Sequence, residues 1–61
     1  MDKLFEPSFF NTLTKEEKDF VDFEYRRHYT MAQIASAFHK TEQEVISTIY
    51  QPLMLKLLHS V

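Results

Sequence analysis

The chain has 61 residues, a formal net charge of −2 and no cysteine, with 44% hydrophobic and 15% aromatic residues. That length holds one small domain, the apolar content excludes disorder, and the missing thiols exclude disulfides and thiolate metal sites, which fits a reducing cytoplasm. The weak negative balance opposes non-specific nucleic-acid binding, no apolar run approaches the ~20 residues of a membrane span, and the acidic start Met1–Pro7 is no signal peptide. Glycine is also absent. Without the residue that turns most cheaply at positive φ, helices with short polar connections are expected rather than tight hairpins.

In chain order, Pro7 suits the first position of a short helix reaching Asn11, with Phe9 and Phe10 folding onto the body. Thr14 then stands three residues before Glu17, Thr30 before Gln33 and Thr41 before Glu44. Each pair has the spacing of a capping box, in which the threonine hydroxyl takes an amide and the acid or amide side chain reaches back. The first such helix is expected over about 15–27. Phe20 and Phe23 point inward, flanked by Val21 and Tyr25, while Glu16, Asp19 and Asp22 form a wet side. Arg26 and Arg27 late in this helix suit its dipole. The second spans 31–38, with Met31, Ile34, Ala35 and Phe38 at i, i+3, i+4 and i+7. The third opens after Thr41 and puts Val45 and Ile49 on one face. Pro52 is expected to kink or stop it near Tyr50, or to open a further helix from Leu53 to His59. In that last run only Lys56 is polar before His59, so the helix wants cover on more than one side. The expected fold is all-α, four to five short helices in one domain: a covering segment (1–12), a tri-helical core (13–50) and an apolar C-terminal helix (51–61).

The pattern in Leu13–Tyr25, "LTKEEKDFVDFEY", is followed nine positions on by the pair Ile34–Ala35, then by Thr41 and by Val45 in fixed register. From Leu13 to about Leu57 the chain thereby resembles the C-terminal, promoter-reading region of bacterial sigma factors and the regulators that share its helix-turn-helix. The resemblance implies a DNA-reading module whose recognition helix starts after Thr41. Three departures stand against that chemistry. His28 and His39 occupy turns where the family has glycine, and histidine tolerates the left-handed region better than most residues. Lys40 replaces an apolar plug. The recognition helix carries Glu42, Gln43, Ile46, Ser47 and Gln51 where the family carries cations, and no cation occurs from Thr41 to Met54. Phosphate contacts from lysine and arginine supply most of the affinity for DNA.

Two surfaces follow. Ile46, Tyr50, Leu53, Met54, Leu57 and Leu58 form an apolar stripe, either covered within the chain or used for a homodimer or another protein. Gln43, Ser47 and Gln51, with Arg26, Arg27 and Lys40, are the residues that could touch DNA. The histidines His28, His39 and His59 lack metal-ligand spacing, and Glu16, Glu17, Asp19 and Asp22 read as a solvated acidic face. No glycine-rich loop, thiol or paired serine–histidine supports catalysis, and no cofactor or small-molecule substrate is implied. The expectation is a small transcription-regulatory protein, suited to a phage or mobile element, that contacts a repressor or RNA polymerase and itself as a homodimer. Direct DNA binding and a structural subunit are the alternatives.

Overall fold

A computed structural model describes residues 2–60. The described chain is all-α, with no strand. A 3-10 turn, Asp2–Phe5, leads into α1 (Pro7–Phe10), α2 (Lys15–Val21), α3 (Met31–Phe38), α4 (Glu42–Val45) and α5 (Gln51–His59). Two π-wound turns extend these helices: Asp22–Arg26 continues α2, and Ile46–Tyr50 joins α4 to α5.

All three capping boxes form with both of their bonds. Thr14 Oγ1 accepts from the Glu17 amide at 3.2 Å, and Glu17 Oε1 accepts from the Thr14 amide at 2.9 Å. The same reciprocal pair links Thr30 to Gln33 and Thr41 to Glu44. Each cap satisfies amides that helix geometry leaves orphaned, a contribution of about 1 kcal/mol per cap. Pro7 takes the start of α1, where its missing amide costs nothing.

Both glycine-less turns are closed by histidine in the left-handed region, His28 at φ 58° and His39 at φ 56°. His39 ends α3 in a Schellman arrangement: its amide donates to the Ser36 carbonyl and the Lys40 amide donates to the Ala35 carbonyl. His28 plays the matching part after the wider turn, where the Tyr29 amide reaches the Phe23 carbonyl at 2.8 Å.

Pro52 does not stop the helical course of the chain; it stands in the first turn of α5, close to where a further helix from Leu53 to His59 is the alternative expectation. Tyr50 and Gln51 keep right-handed helical angles on either side of the junction, and the Gln51 amide donates to the Ile46 carbonyl five residues back. The wide turn accommodates a residue that cannot donate and whose ring crowds a carbonyl one turn earlier. The Thr48 hydroxyl donates to the Glu44 carbonyl at 2.6 Å, a back-bond that helps a helix bend. The π winding also explains which residues face inward. Val45, Ile49 and Leu53 are spaced by four, and on a pure α-helix such a stripe drifts about 40° at each step. A turn holding more residues cancels that drift, and all three are 2% exposed or less.

The core is made by Leu4, Phe9, Leu13, Phe20, Val21, Ile34, Ala35, Val45, Ile49 and Leu53. The aromatic N-terminal segment therefore does more than cover: Leu4 is wholly buried and Phe9 nearly so. Small Ala35 lies buried on α3, which packs against α4, and Ile34 beside it is 1% exposed. Around this core Phe23 stacks on Tyr29 at 5.3 Å between centroids and meets Phe38 edge-on at 5.7 Å, while Phe20 meets Tyr50 edge-on.

Candidate functional site

Two neighbouring faces hold the residues singled out in the sequence. The first runs along α4 and its continuation. Glu42, Gln43, Glu44, Ser47 and Gln51 are exposed, and Ile46 is half-buried and stands outside the core cluster. The Ser47 hydroxyl points back to the Glu44 carbonyl at 3.4 Å. The Glu44 carboxyl is held below the ordinary carboxylate range by the Thr41 amide, then by the Thr41 hydroxyl, with Lys40 adding to the effect. It therefore stays charged at neutral pH. A polyanion approaching this face meets ionised carboxylate beside the exposed amides of Gln43 and Gln51.

Two of the three candidate cations are engaged locally. Arg26 and Arg27 both face Asp22, with Nε–carboxylate distances of 3.9 Å and 3.2 Å. Arg26 also lies over the Phe5 ring at 5.5 Å from its centroid. These are exposed pairs of small energetic weight, but they aim both guanidinium groups at the chain's own surface. Lys40 is half-buried in the turn after α3.

The second face belongs to α5. Leu58 is 71% exposed and Leu55 55% exposed, and with Tyr50, Gln51 and Met54 they line an open groove of about 310 Å³. The expected stripe is thus only partly present. Leu53 is fully buried and belongs to the core, so it is unavailable to a partner. Leu57, one turn further along α5, is half-buried and packs against the core as well. The stripe extrapolated from Ile46 at ordinary α spacing; the π turn rotates α5, sends Leu53 inward and brings Leu55 out. Leu55 was missed for that reason. Its signal was available in the position of Leu55 two residues beyond Leu53, which places the two on opposite sides of any helix.

The acidic face also needs correction. Glu17 is not solvated but 4% exposed, and it receives a hydrogen bond from Lys56 Nζ on α5, 39 residues away. Burial pushes the Glu17 carboxyl up, but the Lys56 hydrogen bond and charge, with the Thr14 amide and hydroxyl, outweigh it and leave the group lowered. Lys56 was the lone polar residue within the "LMLKLL" run, and a lone cation in an otherwise apolar helix calls for an acid on the facing element. Glu24 is the opposite case. Its Oε2 is buried with no hydrogen-bond partner, and desolvation raises its pKa. The Tyr25 hydroxyl is raised as well, by burial first and then by the nearby Glu24 and Tyr50.

A larger open groove of about 490 Å³, bordered by Lys3, Phe9, Lys56 and His59, separates the N-terminal segment from α5. Among the described residues no three His, Cys, Asp or Glu side chains gather as a metal cluster, and no helix is long and apolar enough to cross a membrane. No family model matches the chain, and neither a curated protein nor a solved structure matches it.

Proposed function

We propose that this chain is a small transcription-regulatory protein with a sigma-like helix-turn-helix, formed by α3, the His39–Thr41 turn and α4. It acts mainly through contact with a DNA-binding regulator or RNA polymerase, in the cytoplasm and as a homodimer, without catalysis. The supporting observation is the chemistry of the α4 face. The helix that would enter the major groove displays Glu42, Gln43, Glu44 and Ser47, and the nearest arginines are engaged with Asp22. Phosphate neutralisation, the main source of affinity for DNA, has no arginine or lysine on α4 itself and only the half-buried Lys40 beside it.

The test compares two mixtures at about 0.15 M salt. The purified chain alone, mixed with a randomised duplex pool, is expected to retain no sequence. Mixed with purified RNA polymerase holoenzyme or a DNA-bound repressor, it is expected to form a complex that Ile46→Asp weakens at least tenfold. Direct DNA reading is the second proposal, favoured by the joint exposure of Gln43, Ser47 and Gln51. It requires selection of one duplex by the chain alone, steep loss of binding with salt, and loss of selectivity in Gln43→Ala.

A further inference from the structure

The larger groove brings basic side chains together from two ends of the chain. Lys3 from the 3-10 turn, with Ser8, Phe9 and Thr12, forms one wall; Lys56, His59 and Ser60 at the end of α5 form the other. Among the described residues no carboxylate lines it. Glu17 lies behind Lys56, takes one of the three ammonium protons and offsets that charge. Lys3 and His59 enter no ion pair among the described residues, so they set the sign of the groove. The chain's other cations stand beside acids. Arg26 and Arg27 face Asp22, Lys40 acts on the Glu44 carboxyl, and Lys15 and Lys18 share α2 with Glu16 and Asp19. In a chain of net charge −2, a groove with cations and no acid among its walls selects an anionic ligand.

The hydroxyls decide which kind of anion fits. Each hydroxyl has a single proton to give. Thr12 gives its own to the Phe9 carbonyl at 2.6 Å, and Ser60 gives its own to the Leu57 carbonyl at 3.0 Å. Lone pairs are what remain on both oxygens. A sulfate or phosphodiester group carries acceptors alone, so these two positions repel it. An acidic peptide brings both kinds of group: carboxylates for Lys3, Lys56 and the His59 N–H, and main-chain N–H groups for Thr12 and Ser60. Only an extended segment has those N–H groups to offer, because a helix consumes its own. Phe9, 7% exposed, and the aliphatic stems of the two lysines give an apolar floor for an uncharged side chain between the acids. The space, about 490 Å³, is far more than one ion fills and lies within the roughly 300–1,000 Å³ of ligand clefts.

We propose that the groove between the N-terminal segment and α5 binds an extended acidic peptide segment of a partner protein. Its carboxylates meet Lys3 and the Lys56–His59 edge, and its main-chain N–H groups meet Thr12 and Ser60. No α4 residue lines this groove, so the proposal stands apart from the function proposed above. The walls are open to water and the charges few, so a weak, salt-dependent complex is expected, with a Kd on the order of 0.1 mM.

The test titrates the whole chain against a short labelled peptide of aspartate and glutamate around one leucine, read by fluorescence anisotropy and by amide chemical shifts. Saturable binding is expected, with shifts gathered at Lys3, Ser8, Thr12, His59 and Ser60 and a steep loss on adding salt. Lys3→Glu and His59→Glu are each expected to weaken binding at least about fivefold while keeping the helical circular dichroism of the parent. Lys15→Glu reverses an exposed charge outside the groove and is expected to change binding by less than about twofold. The same peptide with an N-methylated backbone is expected to bind about threefold more weakly or worse, because Thr12 and Ser60 then receive no proton. No saturable binding, an equal loss in Lys15→Glu, or indifference to N-methylation would each overturn the proposal. So would displacement of the peptide by sulfate or by an oligonucleotide of equal charge at lower concentration. No polymerase or repressor takes part, so failure of the transcription reading leaves this outcome untouched.

Discussion

Replacing Lys56 with methionine removes the side-chain cation bonded to the buried Glu17 carboxylate. The Glu17 side chain is 5% exposed and that of Lys56 40% exposed, so one partner is buried and the other is reached by water. Breaking a fully buried pair costs about 3–5 kcal/mol, and a hydrogen bond to a charged group is worth about 1.5–3 kcal/mol. Because Lys56 is partly solvated and Glu17 keeps its bonds to Thr14, the lower part of that range applies, and a loss of about 2 kcal/mol is expected at pH 7. In a domain of this size that corresponds to a fall of roughly 8–16 °C in Tm. The pH dependence carries a sharper signature. In the parent the Glu17 carboxyl is lowered on folding, so its contribution is present above the ordinary carboxylate pKa and is lost as pH falls through the folded value. Without the cation two of the four influences that lower the carboxyl are gone, so the lowering weakens and the variant loses less stability than the parent as pH falls. Thermal melts of both proteins by circular dichroism between pH 3 and 7 therefore converge in acid. A Lys56→Met protein melting within about 2 °C of the parent at pH 7, with a parallel pH profile, would show that the pair holds nothing together.

Two further outcomes follow from residues in unfavourable settings. His39→Gly removes a side chain from left-handed backbone at φ 56° and is expected to stabilise by about 1 kcal/mol, read from urea unfolding, whereas His39→Val should destabilise. Glu24→Gln relieves a buried carboxyl that burial drives toward its protonated form. Its folded pKa is raised, so the parent loses stability as pH rises through that value; the variant is expected to be more stable at pH 7 and to lose the advantage below the ordinary carboxylate range. Equal stability at pH 7, or an advantage that grows in acid, would remove Glu24 as a source of strain.

The local signals were legible because each is complete within a few residues. Every capping box sits inside four positions, and the left-handed histidines stand where a helix ends and glycine is lacking. Core positions on α3 followed from a short α-spaced run. Features that cross the molecule were not legible. Glu17 read as a surface acid because nothing in its own helix announces Lys56, which approaches from α5. Leu53 was expected in the outward stripe and is buried, because a π turn changes the phase of everything beyond it while leaving the hydrophobic composition untouched. The exposed α4 residues were identified at the level of single side chains, since a helix whose inward stripe is known leaves the others outward.

The wide turn at Ile46–Tyr50 also makes the number of residues there as consequential as their identity. A π turn is an α turn carrying one residue too many. Deleting one would turn α5 by about 100°, withdrawing Leu53 and Lys56 from their places while hardly altering the hydrophobicity of the chain. Single-residue length changes in this stretch are thus a short route by which such a sequence could present a different flank of α5 to the core.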